Sequence, residues 1–156
     1  MIKFYKILLL LSINITFCQT TLTAKVVGIK DGDTVVVLDS LNNQITLRLA
    51  EVDCPEKNQP FGTKAKQFTS DKVYLKTIKY VVTDKDRYGR SIAMIYYDED
   101  NKYLSAEIIK KGMGWHYKRY STSKELADLE INAKKNKLGL LIDNNPIEPS
   151  QFRKIN

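Results

Sequence analysis

Three short segments concentrate the residues that could do chemistry: Asp31-Gly32-Asp33-Thr34, the run from Arg48 to Glu56, and Asp86-Arg87-Tyr88-Gly89-Arg90. Asp33 and Asp53 are hard oxygen donors. Two carboxylates, completed by a backbone carbonyl and waters, suit a calcium-like ion. Glu56 follows Pro55, which stiffens the loop beyond Asp53, and it could hold a water beside such a metal. Arg48 and Arg90 supply two guanidinium forks, which suit paired phosphate oxygens. A metal, a carboxylate and two arginines are together the parts for attacking a phosphodiester. The cations neutralise charge that builds on the phosphorus oxygens, and the carboxylate orients or deprotonates water. Each piece alone has an ordinary reading: Asp-Gly-Asp as a turn, an Arg on a strand as a solvated face, Tyr88-Gly89 as a hairpin turn. Their joint spacing carries the chemical reading.

Composition narrows the alternatives. The 156 residues include one His and two Cys, Cys18 and Cys54. That is too few for a two-His zinc motif, a four-Cys zinc site or a disulfide framework. The excess of 25 Lys+Arg over 18 Asp+Glu gives a net charge of +7, which suits a polyanionic partner without identifying it. A hydrophobic fraction of 43%, with 7 Gly and 4 Pro, excludes a disordered or collagen-like chain. The length fits one domain.

Residues 1–18 read as a signal peptide. Lys3 and Lys6 make a basic start, Ile7 to Phe17 is a mostly apolar run, and Thr16 and Cys18 are small residues at −3 and −1 of a cut after Cys18. The run is too short for a stable membrane span. A buried or amphipathic first helix is one alternative. A lipoprotein anchored at Cys18 is another, and Phe17 speaks against it. Removing the leader takes Lys3, Lys6 and Cys18 with it, so the charge becomes 23 − 18 = +5 and Cys54 is the remaining thiol. The expected location is extracellular or periplasmic.

Five strands must position the three segments. Leu22 to Lys30, Asp33 to Asp39 and Gln44 to Ala50 are apolar in strand-like patterns, with Ile45, Leu47 and Leu49 opposite Arg48 on the last, and the tight joints between them predict an antiparallel meander. A helix follows the loop from Pro55 to Gly62, with Phe61, Ala65, Phe68 and Val73 at helical spacing. Two further strands, Thr77 to Thr83 and Ser91 to Tyr97, flank the turn from Asp84 to Gly89. Leu104 to Lys111 reads as a short helix stopped by Gly112. A capping box Thr122-Ser123-Lys124-Glu125 opens the last helix, with Leu126, Leu129 and Ala133 as its buried stripe. The order βββαββαα predicts an α+β fold: a five-stranded Greek-key OB-fold barrel with three helices. The domain is expected over residues 19–143. Residues 144–156, with Pro146 and Pro149 and no periodicity, read as a tail.

These same stretches resemble the thermonuclease family, the staphylococcal-type nucleases. The resemblance runs through Asp31-Gly32-Asp33-Thr34, Leu47-Arg48-Leu49, Val52-Asp53-Cys54-Pro55-Glu56, Asp86-Arg87-Tyr88-Gly89-Arg90, the strand Ile92 to Tyr97, Gly112-Met113-Gly114 and the Lys-rich last helix. It covers roughly Leu22 to Leu141. It implies Asp33 and Asp53 as calcium ligands, with the backbone carbonyl of Cys54, where many relatives carry Thr. It implies Arg48, Glu56 and Arg90 as the catalytic residues: Glu56 as general base, the two arginines clamping the transition state. The implied reaction is calcium-dependent hydrolysis of DNA and RNA at the P–O5′ bond, leaving a 3′-phosphate, by a monomer. Members stack a base on tyrosines after the second helix. Tyr117 and Tyr120, interleaved with Lys118 and Arg119, match that region and suit single-stranded substrate. Lys85, Arg87 and Tyr88 are further candidate substrate contacts. Lys110-Lys111 and Lys134-Lys135 read as solvated helix faces, Trp115 as core, and His116 as structural or exposed rather than catalytic. The loop between Glu56 and the first helix is shorter than in the best-known members. The competing reading is a non-catalytic, single-stranded nucleic-acid-binding module on the same fold. Such scaffolds typically lose some of Asp33, Asp53, Arg48, Glu56 and Arg90, and all five are present here.

Overall fold

The computed structural model describes residues 20–155. The expected leader, Cys18 included, lies outside the described residues. Strands β1 (Leu22–Asp31), β2 (Thr34–Leu38) and β3 (Gln44–Leu49) pair antiparallel in sequence order, which is the expected meander. Their side chains alternate across the sheet, so Ala24, Val26, Val35, Val37, Leu47 and Leu49 all point into the core and are buried. The two-residue strand β4 (Val52–Asp53) and helix α1 (Gly62–Val73) follow. Next come β5 (Thr77–Lys85) and β6 (Ser91–Tyr97). β5 pairs antiparallel with β1 and with β6, and β6 lies parallel to β3. That last pairing closes the order β3-β2-β1-β5-β6 into a five-stranded barrel.

Closure is what assembles the three chemical segments. Thr34 is registered against Arg48 across β2 and β3, and Arg48 against Ile92 across β3 and β6. The Asp-Gly-Asp turn, the end of β3 and the start of β6 therefore meet at one end of the barrel.

The remaining elements plug and extend that core. After the short strand β7 (Lys102–Tyr103), helix α2 (Leu104–Lys110) buries Leu104, Ile108 and Ile109 in the same cluster as Leu47, Leu49 and Ile95. Gly112 stops α2 with φ +64, as expected for a left-handed C-terminal position. The strand β8 (Trp115–His116) then pairs with β4, and helix α3 (Lys124–Lys135) follows. Trp115, Ala133, Leu140 and Leu141 form a second small core with Phe61. Among the described residues, no helix is long and apolar enough to cross a membrane.

Two expectations need correction. The cap of α3 is Ser123, whose Oγ accepts the Leu126 amide at 3.3 Å, rather than Thr122. The Ser123 amide donates to Ser121 Oγ at 3.2 Å, which ties the approach to the helix and leaves Thr122 exposed. The stretch expected as an aperiodic tail contains a helix, α4 (Pro149–Ile155), making four α-helices rather than three. Seven residues are too few to show a period, and docking supplies the order that propensity does not. Gln59 Nε2 donates to the Ile147 carbonyl at 2.6 Å just before α4, and Pro149 suits a first helical position.

Candidate active site

The site is built around Arg48. Lying where β3 leaves the barrel, its side chain is only 12% exposed. One terminal nitrogen, Nη1, donates to the carbonyls of Leu49 (2.8 Å) and Val52 (3.1 Å), fixing the tight loop that follows. The other, Nη2, donates to Asp33 Oδ2 (3.3 Å) and Asp53 Oδ1 (3.0 Å). The two acids expected to bind metal thus converge on one nitrogen. Asp33 is further held by the Cys54 amide at 3.0 Å and by Thr34 Oγ1 at 3.1 Å.

Gly32 and Cys54 explain how the acids can come so close. A Cβ at Gly32 would lie 2.8 Å from Cys54 Cβ and 2.9 Å from Ala65 Cβ. The thiol occupies that space, buried against Gly114 on its other side. Burial pushes the Cys54 thiol well up, so it behaves as a packing group rather than as a reactive thiolate.

Arg90 approaches from the other wall. Its Nε pairs with Asp86 Oδ2 at 2.6 Å, and its Nη1 reaches Thr34 Oγ1 at 3.4 Å. Burial alone would raise the Asp86 carboxyl, but Arg90 and the amides of Arg90 and Tyr88 outweigh it and hold it below the usual carboxylate range. Arg90 lines a groove of about 420 Å³ with Lys30, Thr46, Lys85 and Tyr88. Tyr88 is exposed, its hydroxyl accepting from Arg87 at 2.6 Å and its ring 5.7 Å from the Arg90 guanidinium.

The aromatic segment closes over Arg48. The Tyr117 ring lies 5.4 Å from the Arg48 guanidinium, and Tyr120 meets Tyr117 edge-on at 4.9 Å between centroids. Tyr120 is exposed. Lys118 turns away from the site to Glu130, a buried acid of α3, at 2.7 Å. Trp115 is buried, as expected. His116 is buried and structural: its Nε2 lies 2.9 Å from Ser121 Oγ.

Two site residues escaped the sequence reading. Glu51 occupies the loop between Arg48 and Asp53 at φ +64, a conformation that costs a non-glycine residue about 1 kcal/mol. Its carboxylate accepts from Tyr103 (2.9 Å) and Ser121 (2.7 Å), and its carbonyl accepts the Tyr117 amide (2.9 Å). It ties the aromatic segment to the acid loop. Its position in the turn between Arg48 and the expected ligand Asp53 was the available signal. Arg153, on α4, donates to Asp53 at 2.9 and 3.3 Å and to Glu56 at 2.6 Å. No local pattern marked it.

The donor set fits a hard cation. Asp33 and Asp53 are buried carboxylates held side by side. Burial raises the Asp53 carboxyl and Asp33 adds to this, against Arg153 and Arg48. Burial and the neighbouring Asp33 likewise lift Asp31 to about 6. Carboxylates crowded in this way gain from a divalent cation. Among the described residues no three His, Cys, Asp or Glu form a ready-made cage, so further positions would fall to a backbone carbonyl and water, as is usual for calcium.

Comparison with known proteins shows which proteins the chain is similar to. A family model described as staphylococcal nuclease homologue matches residues 46–143. The chain is 46% identical over 132 residues to an uncharacterised endonuclease of Haemophilus influenzae, covering 85% of this chain and 73% of that protein. It is 35% identical to a micrococcal nuclease of Shigella flexneri, over 83% of this chain and 79% of that one. A staphylococcal-like nuclease of Arabidopsis thaliana is 35% identical over 73% of this chain and 35% of its own length.

Proposed function

The chain belongs to the staphylococcal nuclease homologue family and is a nuclease, and on that footing we propose that it is a secreted, calcium-dependent endonuclease. It hydrolyses DNA and RNA, with single strands preferred, and leaves 3′-phosphate ends. One observation carries the reading: a continuous set of hydrogen bonds joins Arg90, Thr34, Asp33, Arg48, Asp53, Arg153 and Glu56 at one end of the barrel.

Asp33, Asp53 and the Cys54 carbonyl would hold calcium, which when bound supplies positive charge beside the phosphate and the attacking water. Glu56, at the exposed rim, accepts the proton of that water. Arg90 is anchored through Nε by Asp86, and the rest of its fork is turned toward the groove, where phosphate oxygens gain charge. Arg48 holds the acid loop in shape and lends positive charge beneath the phosphate. Tyr117 and Tyr120 offer ring faces to an unstacked base, and Lys85, Arg87 and Tyr88 line the path of the backbone. The leader pattern of residues 1–18 supports export.

The test is cleavage of a single-stranded oligonucleotide by the chain and by Arg48→Ala, Glu56→Gln and Arg90→Ala, with product ends identified by mass spectrometry. Each substitution is expected to lower kcat by about 100-fold or more, with 3′-phosphate products from the parent chain. Undiminished rates would overturn the residue roles, and 5′-phosphate products would overturn the assigned bond. Tight binding without cleavage would favour the non-catalytic module.

A further inference from the structure

The C-terminal helix brings a cation of its own to the site. Arg153 Nη2 lies 2.9 Å from Asp53 Oδ2, and Nη1 lies 3.3 Å from Asp53 Oδ1 and 2.6 Å from Glu56 Oε1. With Arg48 also on Oδ1 at 3.0 Å, both oxygens of Asp53 carry guanidinium hydrogens. A metal ion approaching Asp53 Oδ2 meets the positive charge of Arg153 there, so the two cations compete for one anionic oxygen. Glu56 is restrained by the same fork, at 2.6 Å, so one of its oxygens is already occupied by a guanidinium hydrogen.

From this geometry we propose that Arg153 is a built-in competitor for the divalent cation. It bridges Asp53 and Glu56 until the ion displaces it and α4 swings clear. The inference rests on the reading of Asp53 as a cation ligand. Several features make the contact exchangeable. The Arg153 and Glu56 side chains are 41% and 39% exposed, so that arm contributes little to stability, whereas the Asp53 side chain is 4% exposed and its arm is the one the ion must outcompete. Within α4, Pro149 is buried and Phe152 half-buried, and the rest of the helix is open to solvent on at least one side. The Gln59 bond to the Ile147 carbonyl anchors the segment before α4, so the helix can leave while its stem stays attached. A dication that gains Asp33, Asp53 and a carbonyl replaces a monocation that gains Asp53 and Glu56. Arg153 falls outside residues 46–143, the stretch that the family model matches.

The experiment is calorimetric titration of calcium into the chain and into Arg153→Gln, with amide hydrogen exchange of residues 149–155 followed in the parent chain. The substitution is expected to tighten calcium binding by about two- to five-fold or more, the lower end being the scale of releasing an exposed ion pair. Arg153→Lys, which keeps the charge but not the fork, is expected to fall between. Calcium is expected to speed exchange across residues 149–155. Calcium affinity unchanged or weakened by Arg153→Gln, or exchange in α4 unchanged or slowed by calcium, would overturn the displacement and leave the calcium reading intact. Failure of both chains to bind calcium would overturn the calcium reading and the displacement with it.

Discussion

Arg48 directs four hydrogen bonds into the protein itself, two to loop carbonyls and two to the acids. Arg90 binds Asp86 and Thr34 and keeps a more open fork. The two arginines are therefore unequal: Arg48 shapes the acid loop, and in the proposed reaction Arg90 would be the readier phosphate clamp. A lysine has three donors on one point and cannot copy the planar fork of Arg48. Arg48→Lys should lose activity and also about 1–3 kcal/mol of stability, because partly buried acceptors are left unpaired. Arg90→Lys should lose activity with little change in the unfolding midpoint. Denaturant melts beside rate measurements separate the two. Arg48, Asp33, Asp53, Glu56 and Arg90 could be singled out from sequence because turn chemistry and acid spacing are local, and the structure brings them to one end of the barrel. Arg153 could not. Its partners lie 97 and 100 residues away in sequence, and an isolated Arg near a chain end carries no pattern.

The elements that place these residues follow from short-range rules wherever the element is long. The alternation of Gln44–Leu49 is an example, whereas the start of α3 reads one residue early from sequence, at Thr122 rather than the capping Ser123. Ser123→Ala should cost about 1 kcal/mol, as loss of an N-cap does, read from thermal or urea melts. The two-residue strands β4 and β8 could not be seen, since two residues make no alternation. Their pairing nevertheless draws Tyr117 toward Arg48, with Glu51, Ser121 and His116 as the buried clasp. Burial holds the His116 imidazole below its ordinary 6.5. As the pH falls below about 6.5, the unfolded chain takes up a proton that the folded chain resists, so stability should fall toward acid through this group. Replacing His116 with Asn should flatten that part of the curve, measured as urea midpoints at pH 7 and pH 5. Gly32→Ala should shift Cys54 or Ala65 and cost about 1–3 kcal/mol by overpacking, with activity falling as Asp33 moves.

At the scale of the whole molecule, closure of the barrel through the parallel β3–β6 pairing turns three distant segments into one site. The order of elements made a five-stranded barrel legible, but the pairing that closes it depends on contacts between residues 47–49 and 91–93 that no local window contains. The positive charge, +7 over the full chain, should make binding of single-stranded DNA weaken steeply with salt. With chelator present to prevent cleavage, Lys85→Ala should reduce the slope of log K against log salt by about 1. On the proposed reading, charge attracts the substrate and hydrolysis would depend on the acids and arginines at the barrel end. The most direct measurement is the rate of single-stranded DNA cleavage in calcium, then in excess chelator, then after calcium is restored. The expected result is cleavage that falls by orders of magnitude in chelator and returns with calcium. Cleavage that continues at full rate in chelator would contradict a calcium site on Asp33 and Asp53.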